Sequence, residues 1–116
     1  MQDRPFLRGP VPFDAGITNV GTAGTAVALS TDGGHNDEDR IYWAQFKGKP
    51  GNTGTVYVGI ADVSGTGTIH GFPLENDDNE GLKLDIPNGG SVRLGDIFFD
   101  AENNNDKIAW AILYTQ

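Results

Sequence analysis

The stretch Asn52-Thr53-Gly54-Thr55-Val56-Tyr57-Val58-Gly59-Ile60 decides the fold class. Asn52-Thr53-Gly54 is a turn signal, because Asn and Gly both tolerate positive φ. Thr55 to Ile60 is then dense in β-branched and aromatic residues, the composition of a buried strand. On alternate positions Val56, Val58 and Ile60 share one fully apolar face. Thr55, Tyr57 and Gly59 share the other. That face is half polar, with a gap at Gly59 where another backbone or side chain can approach.

Working outward, the neighbouring segments repeat this grammar. Arg40 to Lys47 is a second strong strand, with Ile41, Trp43 and Gln45 on one face and Tyr42, Ala44 and Phe46 on the other. Both faces are largely apolar, which places the strand centrally or at a subunit interface. Gly48-Lys49-Pro50-Gly51 turns from it into the opening stretch. Upstream, Thr25 to Ser30 alternates Val27 and Leu29 with small residues, as a first strand would. Downstream, Leu82, Leu84 and Ile86 alternate inward. Pro87-Asn88-Gly89-Gly90 predicts a hairpin turn of the Asn-Gly kind, with Val92 and Leu94 returning. Gly95 to Ala101 is a further strand. Glu102 to Asp106 is a polar turn long enough for an open hairpin loop. Lys107 to Tyr114 closes the chain, with Ile108, Trp110, Ile112 and Tyr114 on one face and Ala109, Ala111 and Leu113 on the other, as a strand buried on both sides with small residues where something packs close. Roughly seven or eight short strands at these spacings predict an all-β protein, a single small β-sandwich that is jelly-roll-like.

The N-terminal segment differs. Residues 1–16 form an extended Pro-rich arm, and residues 17–116 the β-sandwich domain. Pro5, Pro10 and Pro12 bar helix and central strand there. Arg4 and Arg8 balance Asp3 and Asp14, so the net charge of −8 resides on the residues that follow. Phe6, Leu7, Val11 and Phe13 are apolar anchors that need a surface. That surface is either the chain's own domain or a neighbouring subunit or another protein.

Composition narrows the function. The 116 residues suffice for one domain with a real core. The acidity argues against nucleic acid, which needs cations opposite its phosphates, and against an anionic membrane surface. No apolar run approaches membrane-spanning length, and Met1 to Pro12 has no apolar core of a secretory signal. The chain has no cysteine, so disulfides and thiolate chemistry are not available.

No catalytic constellation stands out. Ser30, Ser64 and Ser91 lack an elbow motif. His35 and His70 are too few for a zinc site, and neither has a credible partner nearby; a hydrogen-bonded structural role is expected. Among sixteen acids a chance carboxylate pair carries no weight. Gly21-Thr22-Ala23-Gly24 is not a phosphate loop, having no following helix and no Lys-Ser/Thr. In Thr31 to Asp39 the acids Asp32, Asp37, Glu38 and Asp39 suit a hard cation, but their spacing is not that of an EF-hand, and a solvated loop is expected. Glu75 to Glu80 is a second acidic loop. No enzyme activity, cofactor or metal is therefore expected.

Several pieces together resemble a family of small tailed-phage virion proteins, over about residues 17 to 116. They are a Gly-Thr-Ala-Val-type strand ending in Leu-Ser (Gly24 to Ser30), an aromatic strand ending in Lys-Gly (Ile41 to Gly48), and Asn-Thr-Gly-Thr-Val-Tyr-Val-Gly (Asn52 to Gly59). Val63-Ser64 and Gly-Phe-Pro-Leu (Gly71 to Leu74) follow, then a Leu-Asp-Ile strand, a Gly-rich turn, an Asp-Ile-Phe-Phe-Asp-Ala strand and an Asn-rich turn. The arm and the acidic insert Glu75 to Glu80 depart from the pattern. The resemblance implies a capsid decoration (cement) protein on the outer surface of a phage head. It also implies the major capsid protein as partner and a homo-oligomer, commonly a trimer. Capsid or inter-subunit contacts would then fall to Arg4, Phe6, Leu7, Arg8 and Phe13. A recognition module of a head or tail fibre, binding host glycans on Tyr42, Trp43 or Tyr57, is the alternative.

Overall fold

The computed structural model describes residues 12–66, 71–74, 81–86 and 90–115. Two antiparallel sheets pack face to face. The strands are β1 (Phe13–Val20), β2 (Val27–Ala28), β3 (Arg40–Gly48), β4 (Val56–Gly59), β5 (Phe72–Leu74), β6 (Leu82–Asp85), β7 (Val92–Arg93), β8 (Phe98–Ala101) and β9 (Asp106–Thr115). A short helix, α1 (Leu29–Gly33), follows β2, and a 3₁₀ turn (Leu94–Asp96) precedes β8. One sheet has the order β1-β9-β3-β6, with β7 also on β3; the other is β2-β8-β4-β5.

β6 and β7 do not form the expected hairpin. Both run antiparallel to β3 along the same edge: Phe46 to Trp43 face Leu82 to Asp85, and Ile41 and Arg40 face Val92 and Arg93. They are one edge strand in two pieces. Counted so, the orders read first-eighth-third-sixth and second-seventh-fourth-fifth, the double Greek key of a jelly roll. The polar turn after β8 likewise makes no hairpin, because β8 and β9 lie in different sheets.

The core lies between the sheets, built from Leu29, Ile41, Ala44, Phe46, Val56, Leu94, Phe99, Ile108, Trp110 and Ile112 among others. Phe46 of one sheet meets Phe99 of the other edge to face, centroids 5.7 Å apart. Trp110 fits beneath β1 because position 16 is glycine; a Cβ there would lie 2.8 Å from the indole. The indole N–H donates to Thr18 Oγ1, which donates to Asp32 Oδ2, so a buried polar pair is satisfied inside the sandwich.

Three local expectations change. The predicted strand Thr25 to Ser30 is strand only at Val27–Ala28; the chain then coils into α1, which buries Leu29 and Ser30. In β3 a register shift falls between Ile41 and Trp43, an extra residue that reverses the alternation. Ile41 therefore points inward with Ala44 and Phe46, while Trp43, Gln45 and Lys47 point outward. Val56 and Val58 are buried as the opening stretch predicts, but β4 ends at Gly59 and the chain turns, leaving Ile60 64% exposed. Residues 13–16, assigned to the arm from the prolines, begin β1. Residues 1–11 of the arm, with Arg4, Phe6, Leu7 and Arg8, lie outside the described residues, as does His70.

Candidate functional site: an apolar sheet face

The outer face of the five-stranded sheet follows from its register. Phe13, Leu113, Trp43 and Asp85 form one row, Ala15, Ala111, Gln45 and Lys83 the next, and Ile17, Ala109 and Lys47 the third. In these three rows β1 and β9 contribute only apolar side chains; Asn19 and Lys107 follow on the same face as the next pair. Phe13 is 61% and Ile17 52% exposed. A cavity of about 290 Å³ opens over Ala109 and Ala111, flanked by Gln45 and Lys47, because the alanines stop short of their longer neighbours. Of the residues expected to make contacts, Phe13 is the one described, and it stands at the corner of this face where the chain enters the sheet.

The acids behave differently from a solvated loop. Asp32 accepts from Thr18, Asp37 from Ser30 Oγ, and Glu38 from Arg93, although all three are exposed. Asp39 is buried, 3.5 Å from His35 Nδ1, and His35 Nε2 lies 2.8 Å from Asp14 Oδ2. The ring also meets Tyr114 edge-on at 4.6 Å. His35 therefore has two carboxylate partners, correcting the expectation that it has none; Asp39 is its neighbour at i+4, and Asp14, remote in sequence, reaches it only through the fold. The cluster staples β1, the loop after α1 and the end of β9. Nearby, Ser30 Oγ donates to Asp37. Replacing His35 with Ala is expected to cost about 1–3 kcal/mol, because Asp39 stays buried and loses the group facing it. Urea unfolding measures this, and an unchanged midpoint would mean the contacts are not stabilising.

Two buried acids escaped notice in the sequence. Asp100 accepts backbone N–H bonds from Gly24, Gly65 and Ala101, and Asp106 accepts from Thr53 and Gly54. The only signal was an acid beside an apolar pair in Phe98-Phe99-Asp100. Both carboxylates are filled by donors of the chain itself, which is the condition for burying a charge.

Elsewhere, a cavity of about 560 Å³ is lined by Ile60, Ala61, Arg93, Gly95, Asp96 and Phe98. The hydrogen bonds that Arg93 donates to Glu38 and then to Asp96 raise its pKa above the ordinary value, so this cation is engaged within the chain. The gap foreseen at Gly59 opens on a cavity of about 380 Å³ beside Ile60, Asp62 and Phe72. Tyr57 is buried, which removes it from any exposed aromatic platform; Tyr42 and Trp43 are half-buried. Among the described residues, no group of three or more His, Asp or Glu is placed to hold a metal ion, and no helix is long and apolar enough to cross a membrane. Comparison with protein-family models, with curated proteins and with solved structures finds no match to this chain.

Proposed function

We propose that the chain is a structural virion protein, a decoration or cement protein that binds the major capsid protein on the outer surface of a phage head and stabilises the shell. The observation that carries this reading is the apolar outer face running from Phe13 through Ala15 and Ile17 to Leu113, Ala111 and Ala109. Large exposed apolar side chains gathered on one sheet face mark an interaction surface. The Pro-rich arm, with Arg4, Phe6, Leu7 and Arg8, joins the sheet at the same corner and would extend the contact onto the shell. A lattice of symmetric sites rewards an oligomer, commonly a trimer in the resembled family, because several weak contacts add as avidity.

The test is co-sedimentation with expanded heads of the cognate phage. Intact chain should pellet with the heads. A variant lacking residues 1–11, which leaves β1 whole, should bind at least about tenfold more weakly, by loss of multivalent contact. Equal binding by the truncated chain would remove the arm from the contact. No binding by the intact chain would overturn the capsid role. With Tyr57 buried, the glycan-binding alternative retains only Tyr42 and Trp43, and no observation favours it.

A further inference from the structure

We propose that β1 is a self-pairing edge, through which two copies join about a two-fold axis and continue the five-stranded sheet across the pair. β1 ends its sheet. The N–H of Tyr114 donates to the Pro12 carbonyl and that of Asn105 to the Val20 carbonyl, so the even-numbered backbone groups of this segment face β9. In an antiparallel ladder the alternate residues face the other way. Phe13, Ala15, Ile17 and Asn19 thus present their N–H and C=O groups outward, where no described strand takes them up. Asp32 of α1 and His35 of the loop after it hydrogen-bond to β1 at the even-numbered Thr18 and Asp14, not at the odd-numbered residues.

The usual defences of an edge are missing. β1 has eight residues, no lysine, no proline and no irregularity in its register with β9. Its one charge, Asp14, is occupied by His35. Ala15 N–H is held locally by Asp14 Oδ1 at 2.8 Å, and pairing would exchange that bond for a carbonyl of the second copy.

The side chains select both the occupant and the register. A two-fold axis perpendicular to the sheet keeps outer face with outer face, so odd residues oppose odd residues. With Ala15 opposite the partner's Ala15, Phe13 stands opposite the partner's Ile17, and Ile17 opposite the partner's Phe13. The two most exposed side chains of the face then cover each other as directly opposed cross-strand pairs. A slip of two residues would set Phe13 against the partner's Asn19 instead. Charge agrees: copies carrying −8 repel, but no charged side chain lies among the outward residues of β1, so like charges are not opposed. An edge accepts one partner, so this association closes at two. It needs no capsid and stands apart from the decoration role.

The experiment uses the 116-residue chain, which has no cysteine. In the proposed register the two Ala15 Cα atoms lie about 5.5 Å apart, within disulfide range. The A15C variant should form a covalent dimer under mild oxidation, much faster than T22C, placed in the turn beyond β1. Sedimentation equilibrium of the unmodified chain should show a dimer, and the double variant F13K/I17K should weaken it at least about tenfold with an unchanged circular dichroism spectrum. A chain that stays monomeric at millimolar concentration, or sediments as a trimer, would overturn the proposal; so would A15C cross-linking no faster than T22C. Loss of association in F6S/L7S would overturn it as well, since the arm would then be the occupant. A trimer would leave the capsid reading standing, whereas a dimer that ignores phage heads would sink that reading alone.

Discussion

Replacing Asp100 with Ala is expected to remove about 3–5 kcal/mol of stability, the largest effect of any single acid among the described residues. Its side chain is completely buried in β8. One oxygen accepts from Gly24 N–H at 3.0 Å and Ala101 N–H at 2.8 Å, and the other from Gly65 N–H at 3.0 Å. The carboxylate thereby ties the β1–β2 connection and the segment after β4 to one strand. Alanine leaves three donors without a partner, each costing about 1–3 kcal/mol if water cannot reach it; partial relaxation makes the sum less than additive. Gly65 has little room to move, since a Cβ there would lie 2.2 Å from the Ala101 carbonyl oxygen. Asn in place of Asp should recover part of the loss, because one acceptor oxygen remains. Exposed Asp85, by contrast, should tolerate Ala within about 0.5 kcal/mol. Thermal unfolding measures the difference: a loss of this size should lower the midpoint by at least about 10 °C in a domain of this length. A D100A midpoint within about 3 °C of the parent would show that Asp100 is not an anchor.

The second large effect concerns where the arm ends. Removing residues 1–11 should leave the melting temperature within about 3 °C of the intact chain, because the described sheet begins after them. Removing residues 1–16 should cost several times more, about 4 kcal/mol or above. Four of the eight β1 residues go with it, and with them half of the ladder on β9. The Asp14 contact to His35 is lost, and Trp110 loses the backbone of Gly16 that covers it. Circular dichroism melts of the two truncations decide the matter. If both melt alike, the β1–β9 ladder contributes little and the boundary lies nearer residue 17. The distinction governs every binding experiment on the arm, since a chain that has lost half of β1 would fail to bind through unfolding alone.

How far the sequence could be read depended on whether the signal was local. The density of Val, Tyr, Ile, Trp and Phe between turn residues is local, and it predicted the strands around Val56, Ala44, Phe99 and Ile112 together with the sandwich they build. In β9 the face of Ile108, Trp110 and Ile112 is buried, but the face of Ala109, Ala111 and Leu113, expected to be buried as well, is the half-exposed outer face of the sheet. Alternation failed where one residue disturbed its period. The extra residue in β3 between Ile41 and Trp43 sends Ile41 inward and leaves Trp43 on the outer face. Turn residues were equally poor guides to what they connect. The Pro87-to-Gly90 segment looked like a hairpin, yet the chain resumes in the same direction along β3.

By itself, then, the sequence determined the class of the fold, the absence of any cysteine-based chemistry, the excess of negative charge and the identity of most core residues, because each depends on composition or on a period of two. The tertiary structure alone decided which acids are buried, since Asp100 and Asp106 are matched by donors from remote segments that no local pattern announces. It alone decided that β1 is an edge. An edge is defined by the strand that is not beside it, and Phe13 and Ile17 became surface residues only when β9 took one side of β1 and no described strand took the other.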